Sequence, residues 1–355
     1  MEVLSPETMW IGSRCYRVNI PSEVRPSDEK VRVNYEEEDF ECQLDIGEDD
    51  FYEIETVDNG RKFQLKVHVP QMFHSQIIGA KGNTRKRLEQ ETKTTILVPK
   101  IGMKDTNVVI KGTTKKDVVS AKNRIDLIMI AGRAKQQFTH FLSVSFATEE
   151  IKTNFLKFKS DVLKDSVTFG FDESLFQNPE KLHLTVALLV LLDNQDRVIA
   201  SEYLQDCKEM IIDPIIQDAP LRVTMTGLNY MNDDPSAVDV LYAKIVSDEL
   251  QQIANEITQY FASRGLFQLQ HDNVKLHVTL MNSRFGEQDD AIEKYESGEQ
   301  RDKNRNQQRT FDASKILKDF KDFHFGSFTV DEIHLSQRYS KASNGYYEST
   351  GVIKI

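Results

Sequence analysis

The chain has 355 residues, more than one compact domain usually holds, so two globular units and a flexible segment are expected. Its formal charge of −11 argues against a protein that coats nucleic acid with its whole surface, because acidic surfaces repel phosphate. Three scattered cysteines, Cys15, Cys42 and Cys207, suit neither a disulfide framework nor a CxxC zinc site, and the longest apolar run, Val186 to Leu192, is too short to cross a bilayer.

A soluble protein of a reducing, intracellular compartment is therefore expected, without membrane contact, metal site or cofactor. Acidic residues dominate from Asp28 to Asp58, as in Tyr35-Glu36-Glu37-Glu38-Asp39-Phe40, with little periodicity that could bury a face. Residues 1–60 read as an acidic, largely flexible leader. Its interleaved aromatics can dock on a partner, or its acidic run can fold back on basic residues elsewhere; a solvated arm is the plainer reading.

Residues 61–135 invert the charge, with 17 Lys or Arg against 5 Asp or Glu, a local net of +12. Phe63-Gln64-Leu65-Lys66-Val67-His68-Val69-Pro70 alternates as a strand stopped by proline. A helix over 71–78, the turn Gly79-Ala80-Lys81-Gly82 and a second helix from Asn83 follow. Strands over 94–99 and 107–111 and a long helix over 115–130 complete the order βααββα. Glycines let a backbone approach a phosphodiester closely, and the free amides at the start of the second helix favour anions. A lone GxxG is commonly just a tight turn, but here it sits in this element order inside the basic block.

This block resembles a KH domain of the eukaryotic type, type I. The resemblance implies a clamp on single-stranded RNA, with single-stranded DNA as the other candidate. Its phosphate side would be Gly79, Ala80, Lys81, Gly82, Arg85, Lys86 and Arg87, and its apolar groove Ile78, Ile96 and Val98. Arg85 departs from the pattern, since most KH domains carry an aliphatic residue there. Either it adds a phosphate contact or it alters the groove.

Residues 136–355 read as an α+β domain. Strands are expected over 139–146, at His183, over 221–228 and 238–245, at His277, around 328–335 and over 351–355. Helices are expected over 149–163, 202–216, 248–263 and 314–320. Residues 286–310 are charged and nearly devoid of apolar side chains, as a long loop would be; Arg301, Lys303, Arg305 and Arg309 could guide phosphate there, though a solvated loop is the simpler reading.

Within this domain Lys181-Leu182-His183-Leu184-Thr185-Val186 and Lys275-Leu276-His277-Val278-Thr279-Leu280 agree at four of six positions. On a strand, residues two apart share a face, so each His and Thr point one way and the aliphatics point into the core. Two such strands side by side offer two imidazoles and two hydroxyls to one cleft. That set suits phosphodiester chemistry: one imidazole takes a proton from water or a 2′-hydroxyl, the other gives one to the leaving oxygen. Each Thr hydroxyl can donate to a non-bridging oxygen. The duplication makes His183 and His277 equivalent as base or acid. A single His-x-Thr is usually a packed pair without chemistry. His334-Leu335-Ser336 lacks the preceding Lys-Leu and reads as an ordinary strand edge, with Ser336 or Arg338 as its candidates to touch the cleft.

The paired motifs resemble those of the two-histidine (2H) phosphoesterase superfamily, over about Phe138 to Ile355. The resemblance implies a bilobal, pseudo-symmetric antiparallel-sheet domain that acts on RNA ends or 2′,3′-cyclic phosphates without an obligatory metal. It implies His183 and His277 as acid and base, with Thr185 and Thr279 on the phosphate. Together with Thr84-Arg85-Lys86, Phe138-Thr139-His140-Phe141-Leu142, Phe176-Gln177-Asn178-Pro179 and Tyr230-Met231-Asn232-Asp233-Asp234-Pro235, the leader, KH unit and 2H domain are similar to subunits of a helicase-containing transcription cointegrator complex. That similarity implies a nuclear protein associated with that complex, linked to transcription and alkylation-damage repair. Three readings follow: a nuclear phosphodiesterase of single-stranded RNA or its ends, a non-catalytic RNA-dependent adaptor whose cleft only binds a nucleotide or phosphate end, or a scaffold joined to its complex through residues 1–55.

Overall fold

The computed structural model describes residues 8–11, 14–17, 53–100, 107–164, 172–217, 219–266, 271–285 and 310–355. Most of the acidic run and nearly all of the charged 286–310 loop, with Arg301, Lys303, Arg305 and Arg309, lie outside the described residues. Residues 1–47 form one unit, in which β1 (Thr8–Ile11) and β2 (Arg14–Arg17) pair as an antiparallel hairpin with Trp10 opposite Cys15.

Residues 48–355 form the second unit, and its first part carries the βααββα order. An additional edge strand, β3 (Glu55–Val57), precedes it in the stretch expected to be leader; three residues, two of them exposed, are too short to show a period. β4 (Lys62–His68) leads through α1 (Gln71–Ile78) and α2 (Asn83–Thr92) to β5 (Thr94–Leu97), β6 (Asn107–Gly112) and α3 (Lys115–Arg133). The antiparallel sheet has the order β3-β4-β6-β5. Thr114 caps α3 by accepting the Asp117 amide at 3.1 Å. Val118, Ala121 and Ile125 then recur on the helix face that packs into the KH core with Phe73, Ile77, Ile96 and Ile110.

The second part is built on eight antiparallel strands. In chain order these are β7 (His140–Ser145), β8 (His183–Leu189), β9 (Arg222–Tyr230), β10 (Val240–Val246), β11 (His277–Asn282), β12 (His324–Thr329), β13 (Glu332–Gln337) and β14 (Ser349–Lys354). Across the sheet they run β12-β9-β10-β11-β8-β7-β13-β14. The order divides into two four-stranded lobes that meet at β8 and β11. Within them β7-α4-β8, with α4 (Glu149–Lys164), has its counterpart in β10-α7-β11, with α7 (Asp248–Ser263). Both helices bury an apolar stripe, Ile151, Phe155, Phe158 and Val162 in one and Leu250, Ile253, Ile257 and Phe261 in the other.

Two elements differ from the sequence expectation. The helix expected over 202–216 starts earlier, as α5 (Asn194–Cys207), because the Asp193 side chain accepts the Asp196 amide at 2.9 Å and caps it; it continues through a π turn over 208–212 into α6 (Asp213–Ile216). The segment expected as strand around 328–335 is two strands of different lobes, with β12 at one end of the sheet and β13 near the other. Only Val330 and Asp331 separate them, a reach of about 10 Å, so the sheet must curl until its ends approach. Phe146 beyond β7 meets Phe328 of β12 edge to face at 4.9 Å across that closure.

Candidate active site and nucleic-acid interface

β8 and β11 touch through one ladder position, Leu184 opposite Val278, the middle residues of the two His-x-Thr motifs. Antiparallel counting then sets His183 across from Thr279 and His277 across from Thr185. Leu182, Leu184, Leu276, Val278 and Leu280 are buried in the common core, while all four His and Thr side chains are half-buried on the other face. The structure therefore brings the four predicted residues together on one face of the sheet where the lobes meet.

Both imidazoles are held in the same way. His183 Nδ1 donates to the Lys181 carbonyl and His277 Nδ1 donates to the Lys275 carbonyl, each at 2.7 Å. A carbonyl can only accept, so Nδ1 carries the proton and Nε2 is left to exchange one with a substrate. Burial pushes the His183 pKa down to about 4; the bond to Lys181 opposes this, and the nearby charges of His277 and Lys181 add to it. The His277 pKa is also lowered, chiefly by burial, against the bond to Lys275.

Aromatic rings wall the imidazoles unequally. His183 lies 5.2 Å from Phe141 and 5.3 Å from Tyr347, centroid to centroid, whereas His277 has Tyr242 at 5.2 Å. In each half the motif lysine covers the tyrosine: Lys181 Nζ is 4.7 Å from the Tyr347 ring and Lys275 Nζ 5.2 Å from that of Tyr242. These aromatic residues were not among the sequence candidates. Tyr242 could have been found as the strand residue opposite Thr279, but Tyr347 arrives from the β13–β14 connection and has no local signal.

The third motif is not a strand edge. β13 pairs with both β7 and β14 and lies inside the sheet. His334 is committed to Ser349 Oγ at 2.9 Å and to Glu332 at 3.4 Å. Ser336 is fully buried against Ser143 Oγ at 3.0 Å, and Tyr346 donates its hydroxyl to the same Ser143 at 3.0 Å. This hydroxyl cluster props the tyrosine pair behind His183. Arg338 lies one layer out, over the Phe138 ring at 4.0 Å.

The GxxG turn has the expected backbone. Gly79 and Gly82 take φ of 69° and 79°, and a Cβ at Gly79 would collide with Thr84. Gly82 precedes α2 with no side-chain cap and no acidic residue in the first turn; the Asn83 amide is taken by the Ala80 carbonyl, and no side chain competes with an anion for the amides that follow. Ala80 and Lys81 are exposed on the turn and Lys86 on α2, and Ile78 is half-buried beside it. Arg85 is half-exposed and paired with Glu89 at 3.9 Å, and exposed Arg87 lies 3.8 Å from Glu91. Val98 is half-buried against the KH core. Ile96 is a correction: its side chain is fully buried in that core, because strand alternation turns it inward and turns Leu97 out. It offers no surface to a base.

The KH unit and the sheet are joined by polar contacts. Arg133, the last residue of α3, grips Asp196 with two bonds of 2.8 Å and also bonds the Val190 carbonyl. His68 of β4 meets Asp193 at 3.2 Å. His68, Asp193 and Asp196 have the donor set of a divalent metal. Both Asp196 oxygens, however, already accept from Arg133, and one also accepts the Leu192 amide. The guanidinium thus supplies the cation this cluster needs. A cleft of about 560 Å³ opens beside the joint, lined by Thr185 and His277 on the sheet side and by residues of α3.

Residues 138–355 match the family described as the AKAP7 2′5′ RNA ligase-like domain, and residues 64–127 match the KH domain family. Over 361 aligned residues the chain is 39% identical to activating signal cointegrator 1 complex subunit 1 of Mus musculus, covering 99% of each. The chain belongs to that family. It is a KH domain joined to a 2H phosphoesterase-like domain with a curled antiparallel sheet. Among solved structures it is similar to the first type I KH domain of human Vigilin, at 28% identity over 19% of this chain and 70% of that one, with a TM-score of 0.18. It is also similar to E. coli LigT in apo form, at 14% identity over 62% and 99%, TM-score 0.33, and to TT0787 of Thermus thermophilus, at 16% over 61% and 97%, TM-score 0.36.

Proposed function

We propose that the protein is an RNA-binding phosphodiesterase of single-stranded RNA or its ends, working without a metal as a nuclear subunit of an activating signal cointegrator 1 complex. One observation carries the catalytic part: the two His-x-Thr motifs meet at Leu184 and Val278, with both imidazoles in one tautomer on the same face of the sheet. The nuclear and complex assignments rest on the kinship with the mouse subunit.

In this reading His183, with the more closely walled ring, is neutral near pH 7 and takes the proton of the attacking water or 2′-hydroxyl through Nε2. His277 donates to the leaving oxygen once a phosphate anion between the two rings favours its charged form. Thr185 and Thr279 donate to the non-bridging oxygens as charge builds there. The GxxG turn and the start of α2, with Lys81 and Lys86, hold the strand by its backbone. The test is digestion of short single-stranded RNAs with varied ends by the purified chain in chelator, beside His183→Ala and His277→Ala. Cleavage by the wild type alone is expected; equal product from all three, or none from any, would sink the catalytic reading.

One observation favours a second reading, a non-catalytic RNA-dependent adaptor. Both imidazole pKa values are lowered, so the cleft residues by themselves include no ready proton donor of this kind at neutral pH. Calorimetry with terminal and cyclic nucleotides, run with the digestion, separates the two: binding without turnover selects the adaptor.

A further inference from the structure

After their single contact, β8 and β11 splay apart on both sides. On one side the gap is bridged by the chain before β8, where Phe176 pairs with Met281 and the Gln177 amide donates to the Leu280 carbonyl at 2.8 Å. On the other side it holds the cleft of about 560 Å³, a volume within the about 300–1,000 Å³ range of small-molecule sites. That end is where Thr185 and His277 lie across from each other, and both line the cleft. Its far wall comes from the KH unit, through Ile130 of α3 and Ala134 just after it, and from Phe138 in the connection.

The wall is fixed in place. Arg133 is anchored on Asp196 next to Ala134, and Ile130 packs so close to Gly265 after α7 that a Cβ there would touch it at 3.4 Å. Phe138 is backed by the Arg338 guanidinium at 4.0 Å, which leaves its ring as a braced stacking plate. The rest of the lining is divided about evenly between aliphatic side chains, including the exposed Leu188 of β8, and polar ones, with Lys275 and the amides of Gln136 and Asn273 at hand. Single-stranded nucleic acid is recognised by such a combination: a base stacks on an aromatic face and its edge bonds to side-chain amides.

We propose that this cleft is a nucleobase seat, walled on one side by the KH unit, for the nucleotide whose phosphate lies at His277 and Thr185. The proposal rests on the phosphodiesterase reading for the position of that phosphate. It makes the KH unit part of the active site as well as a clamp for the strand, and gives the joint at Arg133 a reason to be rigid.

The test is equilibrium binding by calorimetry to the full chain, using inorganic phosphate, the four nucleoside monophosphates and a single-stranded RNA tetramer with a 3′-phosphate. Two variants fill the seat from opposite walls, Ala134→Trp from the KH unit and Leu188→Trp from β8, so either can decide if the other fails to fold. For the wild type a base-bearing phosphate binds about tenfold or more tighter than inorganic phosphate, the size of a single stacking contact. Each variant removes that gain and leaves phosphate affinity within about twofold, a change of under half a decade. A gain seen with the tetramer alone assigns the seat to a strand, and a gain with both assigns it to free nucleotides as well. Base-dependent affinity unchanged in the folded variants, or nucleotides and tetramer both binding no tighter than phosphate in the wild type, overturns the seat. Turnover is read separately: binding as described with no cleavage removes the phosphodiesterase reading, whereas cleavage without any base-dependent gain removes the seat alone.

Discussion

The two halves of the cleft share their chemistry and differ in their surroundings. Each supplies a His with Nδ1 tied to the carbonyl two residues earlier, a Thr two residues on, and a Lys stacked on a Tyr. Yet His183 is enclosed by Phe141 and Tyr347, while His277 opens towards the KH unit. Duplication fixes which groups face the phosphate, and later packing decides how each one titrates. A pseudo-symmetric site can thereby divide base and acid duties between two identical side chains.

The largest test of that division removes each imidazole. His183→Ala and His277→Ala should each lower kcat/KM by about 10²–10⁴ on a single-stranded RNA end, the usual loss for a general base or acid. The pH profile should tell them apart. His183, with its pKa held down to about 4, stays a competent base until the pH falls towards that value, whereas His277, also lowered, loses its proton as the pH rises. The wild-type kcat/KM should therefore peak on the acidic side of neutrality. Residual activity of His183→Ala should lack the acidic limb and that of His277→Ala the alkaline limb; the reverse pattern would exchange the roles.

The next effect should fall on one half only. Arg133 and Asp196 are both buried, and Arg133→Ala strands the Asp196 carboxylate, so a loss of about 3–5 kcal/mol in unfolding free energy is expected from urea titration. The double variant Arg133→Met with Asp196→Leu should recover much of it, because no unpaired charge remains. In that double variant the segment from the end of β8 to the start of α5, which carries the Val190 and Asp196 partners of Arg133, should loosen more than the His277 side, visible as faster amide exchange around 188–196 than around 271–278.

A smaller loss is expected from the hydroxyls. Thr185→Val and Thr279→Val keep shape and remove one donor each, and each should cost about 10²-fold in kcat with little change in KM. Equal losses would mean that both hydroxyls serve the transition state; a loss at one position alone would place the phosphate in one half.

Much of this is legible in the chain because two patterns are hard to mistake. The period-2 alternation around His183 and His277 puts His and Thr on one face, and repetition with Lys-Leu in front separates them from His334. The GxxG turn within a βααββα order marks the KH unit. What the chain does not display are relations between distant segments. Arg133 and Asp196 lie 63 residues apart, and Tyr347 reaches His183 from a connection whose own sequence gives no period. The neighbours of β13 do not follow from its alternation, so the edge expected for His334-Leu335-Ser336 is a strand inside the sheet. The groove position expected for Ile96 fails for a related reason: apolar residues flank it closely, and only pairing with β6 fixes which ones point inward.

The finest test concerns the enclosing rings themselves. If burial depresses the His183 pKa, removing part of the enclosure must raise it, since water readmitted to the ring stabilises the charged form. Tyr347→Leu opens one wall and also frees Lys181 from its ring, so the His183 pKa should climb from about 4 towards the ordinary value while His277 holds still. Tyr242→Leu should do the converse. Histidine Cε1–H resonances followed through a pH titration read both values in the same sample. The consequence for catalysis follows in sign: a His183 with a raised pKa is protonated over a wider acidic range, so the acidic limb of kcat/KM should move up in Tyr347→Leu and stay in place in Tyr242→Leu. If both variants shift both histidines alike, the halves are electrostatically one site and the unequal walls do not divide their roles.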